Sequence, residues 1–367
     1  MSDADIHPHQ FQQQERWRLE WEYGSAEVQA LGGMLAPLHL RLDPDRDLQI
    51  MHVAPWAGTT ESLALPGLLR RMRGEWPCVP FGRTDAPADL PSGWSAMAAD
   101  DPWSHGYGAN HRWTCTAATA TSVSLAIDYP ESAPIASMTR CISVVPGAPA
   151  LDIGLTIRPR RDTRLPAGLH PTFRLPQPAG RVQVVLGRHD GIFSYPSHSA
   201  GAGAASILLP DTRSARLDAI AGVDGPCDLS RLPPAGQLEE LLQVRALAGT
   251  GHLPPFTLHY LDYDMQVGLW WDTRHFPDLM LWLSNRGRPD APWHSRHVAL
   301  GAEPVNSLFD LGRVATPPAA HPLADRCGIA LRAGQEWTTH YRIAAWPAAS
   351  PVPAALAPRE RWPTTGP

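Results

Sequence analysis

Lysine is missing from this chain: all 31 basic residues are arginine. A Schiff-base mechanism is therefore excluded, and with it pyridoxal-phosphate chemistry and Walker-A nucleotide hydrolysis, each of which needs a lysine amine. Exclusive arginine usage is also the mark of a GC-rich, bacterial coding sequence. Cysteine is sparse, with Cys78, Cys115, Cys141, Cys227 and Cys327 scattered and odd in number. There is no Cys-x-x-Cys, so neither a zinc knuckle nor a redox pair is indicated, and free thiols in a reducing compartment are expected. No apolar run approaches a membrane span and no signal pattern opens the chain, so a cytoplasmic protein without a membrane partner is expected. The formal net charge of −5 leaves no basic footprint for nucleic acid.

What is abundant is proline and glycine, 39 and 30 in 367 residues, which breaks helices and implies short elements joined by turns. Segments such as TSVSLAIDYP, LDIGLTIRP, RVQVVLG, MQVGLWWDT, LMLWLSN and WTTHYRIAAW read as half-buried strands. Helical candidates are few: the second half of ESLALPGLLRRMRG (61–74), and PAGQLEELLQVRAL (234–247). No βαβ rhythm and no fixed-period repeat appears. The expectation is an all-β antiparallel sandwich or barrel with a few short helices. The expected organisation is a loose segment over 1–15, one β domain over 16–346 and a Pro/Ala-rich, loosely packed tail over 347–367. SHSAGAGAAS (197–206) reads as a surface loop.

Four loop-like clusters hold ionisable groups: CVPFGRTDAP with Arg83, PWSHGYGANHRW with His105, Asn110 and His111, AGLHPTFRLP with His170, and HVALGAEPVNS with Glu303. A carboxyl lodged among Ala, Leu and Val loses hydration, so its pKa rises toward neutrality, where it serves as a general base. A histidine with an unperturbed pKa near 6.5 serves as the matching acid. The plain alternative is that His170 satisfies a backbone carbonyl beside its proline and that Glu303 sits on an edge strand.

Taken in order, HGYGANHRW, GLHPTF, WDTRHFPDLMLW and LGAEP resemble the aldose 1-epimerase (galactose mutarotase) superfamily, over roughly residues 20–345. VPFGR resembles the segment where that family presents an arginine to the sugar, and CDLSRLPP another of its landmarks. The resemblance implies a large antiparallel β-supersandwich and the interconversion of α and β anomers of a free aldose through its open-chain form. It implies His170 as general acid on the ring oxygen and Glu303 as general base on the anomeric hydroxyl. By the same match His105, Arg83 and Asp272 would contact the sugar and Trp282 would wall the cleft. No metal or organic cofactor is implied, and the partner is a small-molecule sugar, the chain acting as monomer or homodimer.

The sequence departs from the family pattern at Gly82, Ala109, Thr172 and Met280, where an asparagine, an arginine, an aromatic residue and a glutamine are common. Loss of one arginine argues against a phosphorylated sugar. Two alternatives follow. One is a non-catalytic carbohydrate-binding or sensing protein of the same fold; the other is a metal-dependent sugar isomerase using His105, His111, His170 and Glu303. Arg286 and Arg288 in SNRGRPD read as a solvated turn. If the resemblance holds, His170 and Glu303 should face one another across a cleft with a hexose ring between them.

Overall fold

The computed structural model describes residues 15–198 and 205–358. The first 14 residues and most of the expected surface loop lie outside them. Three antiparallel sheets dominate. A nine-stranded sheet contains the long strands Ile135–Val144, Ala150–Pro159 and Trp337–Pro347, an eight-stranded sheet contains Leu238–Arg245, Asp278–Asn285 and Val298–Asn306, and a four-stranded sheet runs from Arg16 to Gln49. Among the described residues helical structure is confined to one turn at Tyr107–Asn110 and to short 3-10 segments, of which Gly67–Arg71 bears on the site. The all-β expectation is met, and for the stated reason: β-branched and apolar residues alternate along these strands between turns rich in proline and glycine.

The main core lies between the sheets. Ile142, Leu151, Leu155 and Ile343 of the nine-stranded sheet share one buried cluster with Leu242, Leu281 and Leu300 of the eight-stranded sheet. Each such fully buried side chain contributes about 1.5–3 kcal/mol. A second cluster, built on Trp56, Trp76, Phe81, Leu241, Met280, Trp282 and Trp293, covers the other face of the eight-stranded sheet. That sheet is therefore buried on both sides.

Burial on both sides explains the one misread element. The helix expected over 234–247 is instead the strand Leu238–Arg245, hydrogen-bonded between Gly191–Ser194 and Asp278–Asn285. Covered on both faces, the strand carries Glu240 among the core-facing residues and Leu241 on the cleft face, so its apolar residues fall at 238, 241, 242 and 244 and mimic a helical stripe. The described part of the tail is exposed or half-buried but for one anchor point. Leu356 is buried against Trp346 and Trp270, and its carbonyl accepts a bond from Arg342 Nη1 at 3.0 Å.

Candidate active site

The cleft face of the eight-stranded sheet is laid out in cross-strand rungs. Register pairs Glu303 with Met280 and Met280 with Gln243; the next rung is Gly301–Trp282–Leu241, and the next Ala299–Ser284–Glu239. Alternate residues, Leu279, Leu281, Leu283, Val298, Leu300 and Ala302, point back into the main core. Strand periodicity alone thus delivers Glu303, Met280, Trp282 and Leu241 to one cavity of about 380 Å³. Its other walls are the Gly67–Arg71 segment with Met72, the loop carrying Trp103 and His105, and the residues Trp76, His170, Arg288, Trp293 and Asp310.

His170 reaches Glu303 by the same register. Ala167 pairs with Asn306 and Gly168 with Val305 on one side, Thr172 with Gly301 and Arg174 with Ala299 on the other, a constant offset that sets His170 opposite Glu303. Pro171 has no N–H to give the ladder, but its carbonyl accepts the Ala302 N–H at 2.8 Å and keeps the strand in place. The imidazole lies flat on Trp76, ring centroids 4.0 Å apart and 18° from parallel, and Nδ1 stands 3.2 Å from Thr172 Oγ1. Nε2 lies 3.4 Å from Glu303 Oε1. The expectation of a ring-sized gap between the two is therefore corrected. They stand side by side on the cavity wall, because neighbouring strands of one sheet cannot hold their residues farther apart.

Both groups are buried, and apart from the His170 contact Glu303 Oε1 and Oε2 have no hydrogen-bond partner among the described residues. Burial pushes the Glu303 carboxyl well above the usual carboxylate range, with repulsion from Asp310 adding to it. Burial holds His170 well below its usual value, and His105 adds to that. The uncharged pair is favoured, with one proton between them: Nδ1–H toward Thr172, and the Nε2 lone pair toward the carboxylic acid.

The other expected site residues divide. His105 lines the cavity, edge-on to His170 at 5.1 Å, its backbone held at φ 58°, its Nδ1 buried without a partner and its pKa lowered to about 4 by burial and by Arg313. Trp282 lines the cavity, with its indole N–H donated to Glu239. Arg83 is not among the lining residues. It stands behind Asp310, donating to Tyr195 Oη at 3.4 Å while Tyr195 donates to Asp310 Oδ1 at 2.8 Å. Gly82 makes that packing possible, since a β-carbon there would lie 2.3 Å from the Asp310 carbonyl oxygen.

Asp272 does not join the site. It follows the last residue of the Met265–Trp271 strand in the nine-stranded sheet, pairs with Arg274 at 2.7 Å, and lines no part of the cavity. His111 likewise stacks on Tyr107 at 3.6 Å, outside the cavity. The four-ligand set of the metal alternative therefore does not assemble. Among the described residues no group of three or more His, Cys, Asp or Glu could hold a metal ion.

Sequence reasoning missed Asp310, Glu239, Trp76 and Arg288. Asp310 carried the same signal as Glu303, a carboxylate between apolar residues Phe309 and Leu311. Arg288 corrects the solvated-turn reading. It forms an ion pair with buried Glu239 at 2.7 Å and lies over the Trp293 ring at 4.5 Å inside the cavity.

No family model matches the chain, and no curated protein matches it. Solved structures do. A putative aldose 1-epimerase from Escherichia coli K12 aligns with a TM-score of 0.59 at 12% identity, over 90% of this chain and 99% of that one. The GalM/aldose epimerase homologue from C. elegans gives 0.61 at 12%, over 91% and 99%. A galactose mutarotase-like protein from Clostridium acetobutylicum gives 0.60 at 11%, over 91% and 96%. The galactose mutarotase-like fold expected from the four motifs is the fold of this chain. No helix among the described residues is long and apolar enough to cross a membrane.

Proposed function

We propose that the chain is a mutarotase, interconverting the α and β anomers of a free aldose by general acid–base catalysis at His170 and Glu303. One observation carries the reading: an imidazole nitrogen and an otherwise unpartnered carboxylate 3.4 Å apart on the wall of a sugar-sized cavity. The two oxygens that must exchange protons in ring opening, O1 and O5, are borne by one carbon. Two adjacent groups suit them better than two groups on opposite walls.

The resting proton moves from Glu303 to His170 to give an imidazolium and a carboxylate. Glu303 then takes the proton of the anomeric hydroxyl while His170 Nε2 delivers its proton to O5. The C1–O5 bond breaks and its electron pair stays on O5, as the O1 electrons form the C1=O1 bond. The open aldehyde turns about C1–C2. O5 attacks the other face of C1 and returns its proton to His170, and Glu303 returns its proton to O1. The pair ends with the proton count it began with, so no outside donor is needed. Trp76 and Thr172 fix the imidazole plane, His105 and Asp310 flank the reacting centre, and Trp282 offers a face to the ring. General acid–base assistance of this kind is worth about 10²–10⁴-fold.

The test is anomer exchange by NMR or polarimetry over a panel of free sugars. His170→Asn and Glu303→Gln should each lose about 10²-fold or more. Wild-type exchange rates in both variants sink the reading. Sugar binding without acceleration would turn the protein into a sensor of the same fold.

A further inference from the structure

The acid–base pair fixes where the anomeric carbon sits; His105 and Asp310 stand beside that point, while the strands next to Glu303 present apolar side chains to the cavity. Met280 is the cross-strand partner of Glu303, and Leu241 lies on the next rung beside Trp282; both line the cavity. Three of the polar side chains nearby bond within the protein. Gln243, paired with Met280, donates to Asp278 Oδ2 at 2.7 Å and to the Ser307 carbonyl at 2.9 Å, and accepts the Phe309 N–H at 2.6 Å. Asn110 donates to the carbonyls of Ser104 and Gly106 and accepts the Leu68 N–H. The Glu239 carboxylate is filled by Trp282, Ser284 and Arg288. A hexose carries hydroxyls all round its ring. One laid against the Met280 thioether and Leu241 loses its water and gains no partner.

We propose that the substrate is a deoxy sugar, carrying a methylene or methyl group where a hexose has a hydroxyl beside the reacting end of the ring, and that Met280 and Leu241 select it. The proposal rests on the mutarotase reading and narrows its substrate. The shared chemistry is one missing hydroxyl, whether at C2 or at C6. An apolar wall discriminates against an added hydroxyl by up to about 10²-fold.

The full-length protein is given glucose, 2-deoxyglucose, galactose and 6-deoxygalactose, and anomer exchange is read by NMR above each sugar's own uncatalysed rate. At least one deoxy sugar should show kcat/KM about tenfold or more above its parent. Met280→Gln, close in volume but polar, should bring that ratio toward one by raising kcat/KM for the parent hexose. A parent turned over as well as its deoxy form overturns the proposal and leaves the mutarotase reading standing. A ratio unchanged in folded Met280→Gln removes Met280 as the selecting residue and overturns the proposal in that form. No acceleration of any sugar, with His170→Asn indistinguishable from wild type, overturns both.

Discussion

Gly301 lies beneath the Glu303 carboxylate: a β-carbon on it would stand 2.4 Å from Glu303 Oε1 and 3.0 Å from Trp282 Cβ. The two residues share one face of the Val298–Asn306 strand, so the absent side chain is the space the carboxylate occupies. Gly301→Ala fills that space. Trp282 cannot swing aside easily, because its indole N–H is bonded to buried Glu239. The variant should fold with a loss of about 1–3 kcal/mol. Its displaced carboxylate should lower kcat/KM by about 10²-fold. Thermal melts and anomer exchange check the two parts separately. Unchanged exchange in a folded Gly301→Ala would mean that Glu303 is not used where it stands.

The strands were legible because most are covered on one face only and keep their alternation. Leu238–Arg245 was not, because Glu240 faces the core and Leu241 the cleft, which breaks the alternation. His170 and Glu303 were singled out in short motifs, and their adjacency follows from register, which no single segment displays. The same motifs misplaced Asp272, because a match along the chain does not say which sheet a residue joins. Arg288 sits among glycine and proline and reads as solvated in sequence. Only the folded chain brings Glu239 and Trp293 to it, from strand and turn segments far off or apolar in sequence.

Thr172 is one of the positions where an aromatic residue is expected, and its hydroxyl holds His170 Nδ1 at 3.2 Å. Thr172→Val keeps the shape and removes the hydroxyl. With a net worth of about 1 kcal/mol for the bond, kcat should fall about fivefold with KM little changed, and Thr172→Ser should recover it. Equal kcat in all three proteins would show that the tautomer of His170 is set by something other than Thr172.

Acid should destabilise the fold through its buried histidines. Burial lowers His52 to about 4, with Arg174 adding to it, and burial holds His170 and His297 well below their ordinary value. These groups have folded values below their unfolded value of 6.5, so the unfolded state binds their protons first. Stability is then unaffected by them above about pH 6.5 and drops as pH falls below it, by up to about 1.4 kcal/mol per pH unit for each histidine. For His52 alone the full shift is worth on the order of 3 kcal/mol. Urea unfolding at pH 7 and pH 5 measures it. Buried carboxyls such as Glu303 titrate in the opposite sense, so the comparison is with His52→Asn: an identical pH dependence in the two proteins would mean that the His52 ring is charged or water-exposed in the native state.

Glu303 works in the opposite sense. Its folded value is raised, so between the ordinary value of 4.5 and that raised value the unfolded chain has released a proton that the native protein still holds. Native stability on this account is undiminished below about pH 4.5 and falls as pH rises above it, by about 1.4 kcal/mol per pH unit until the buried carboxyl ionises. Glu303→Gln keeps the volume, cannot ionise, and escapes that penalty. The variant should match wild type in stability at pH 4 and exceed it at pH 7, while its anomer exchange is lost. A gain in stability paired with loss of activity at one residue is the signature of a group kept buried for its chemistry. If Glu303→Gln is instead less stable than wild type, and by the same amount at both pH values, the carboxyl has an architectural role and the acid–base pair loses its base.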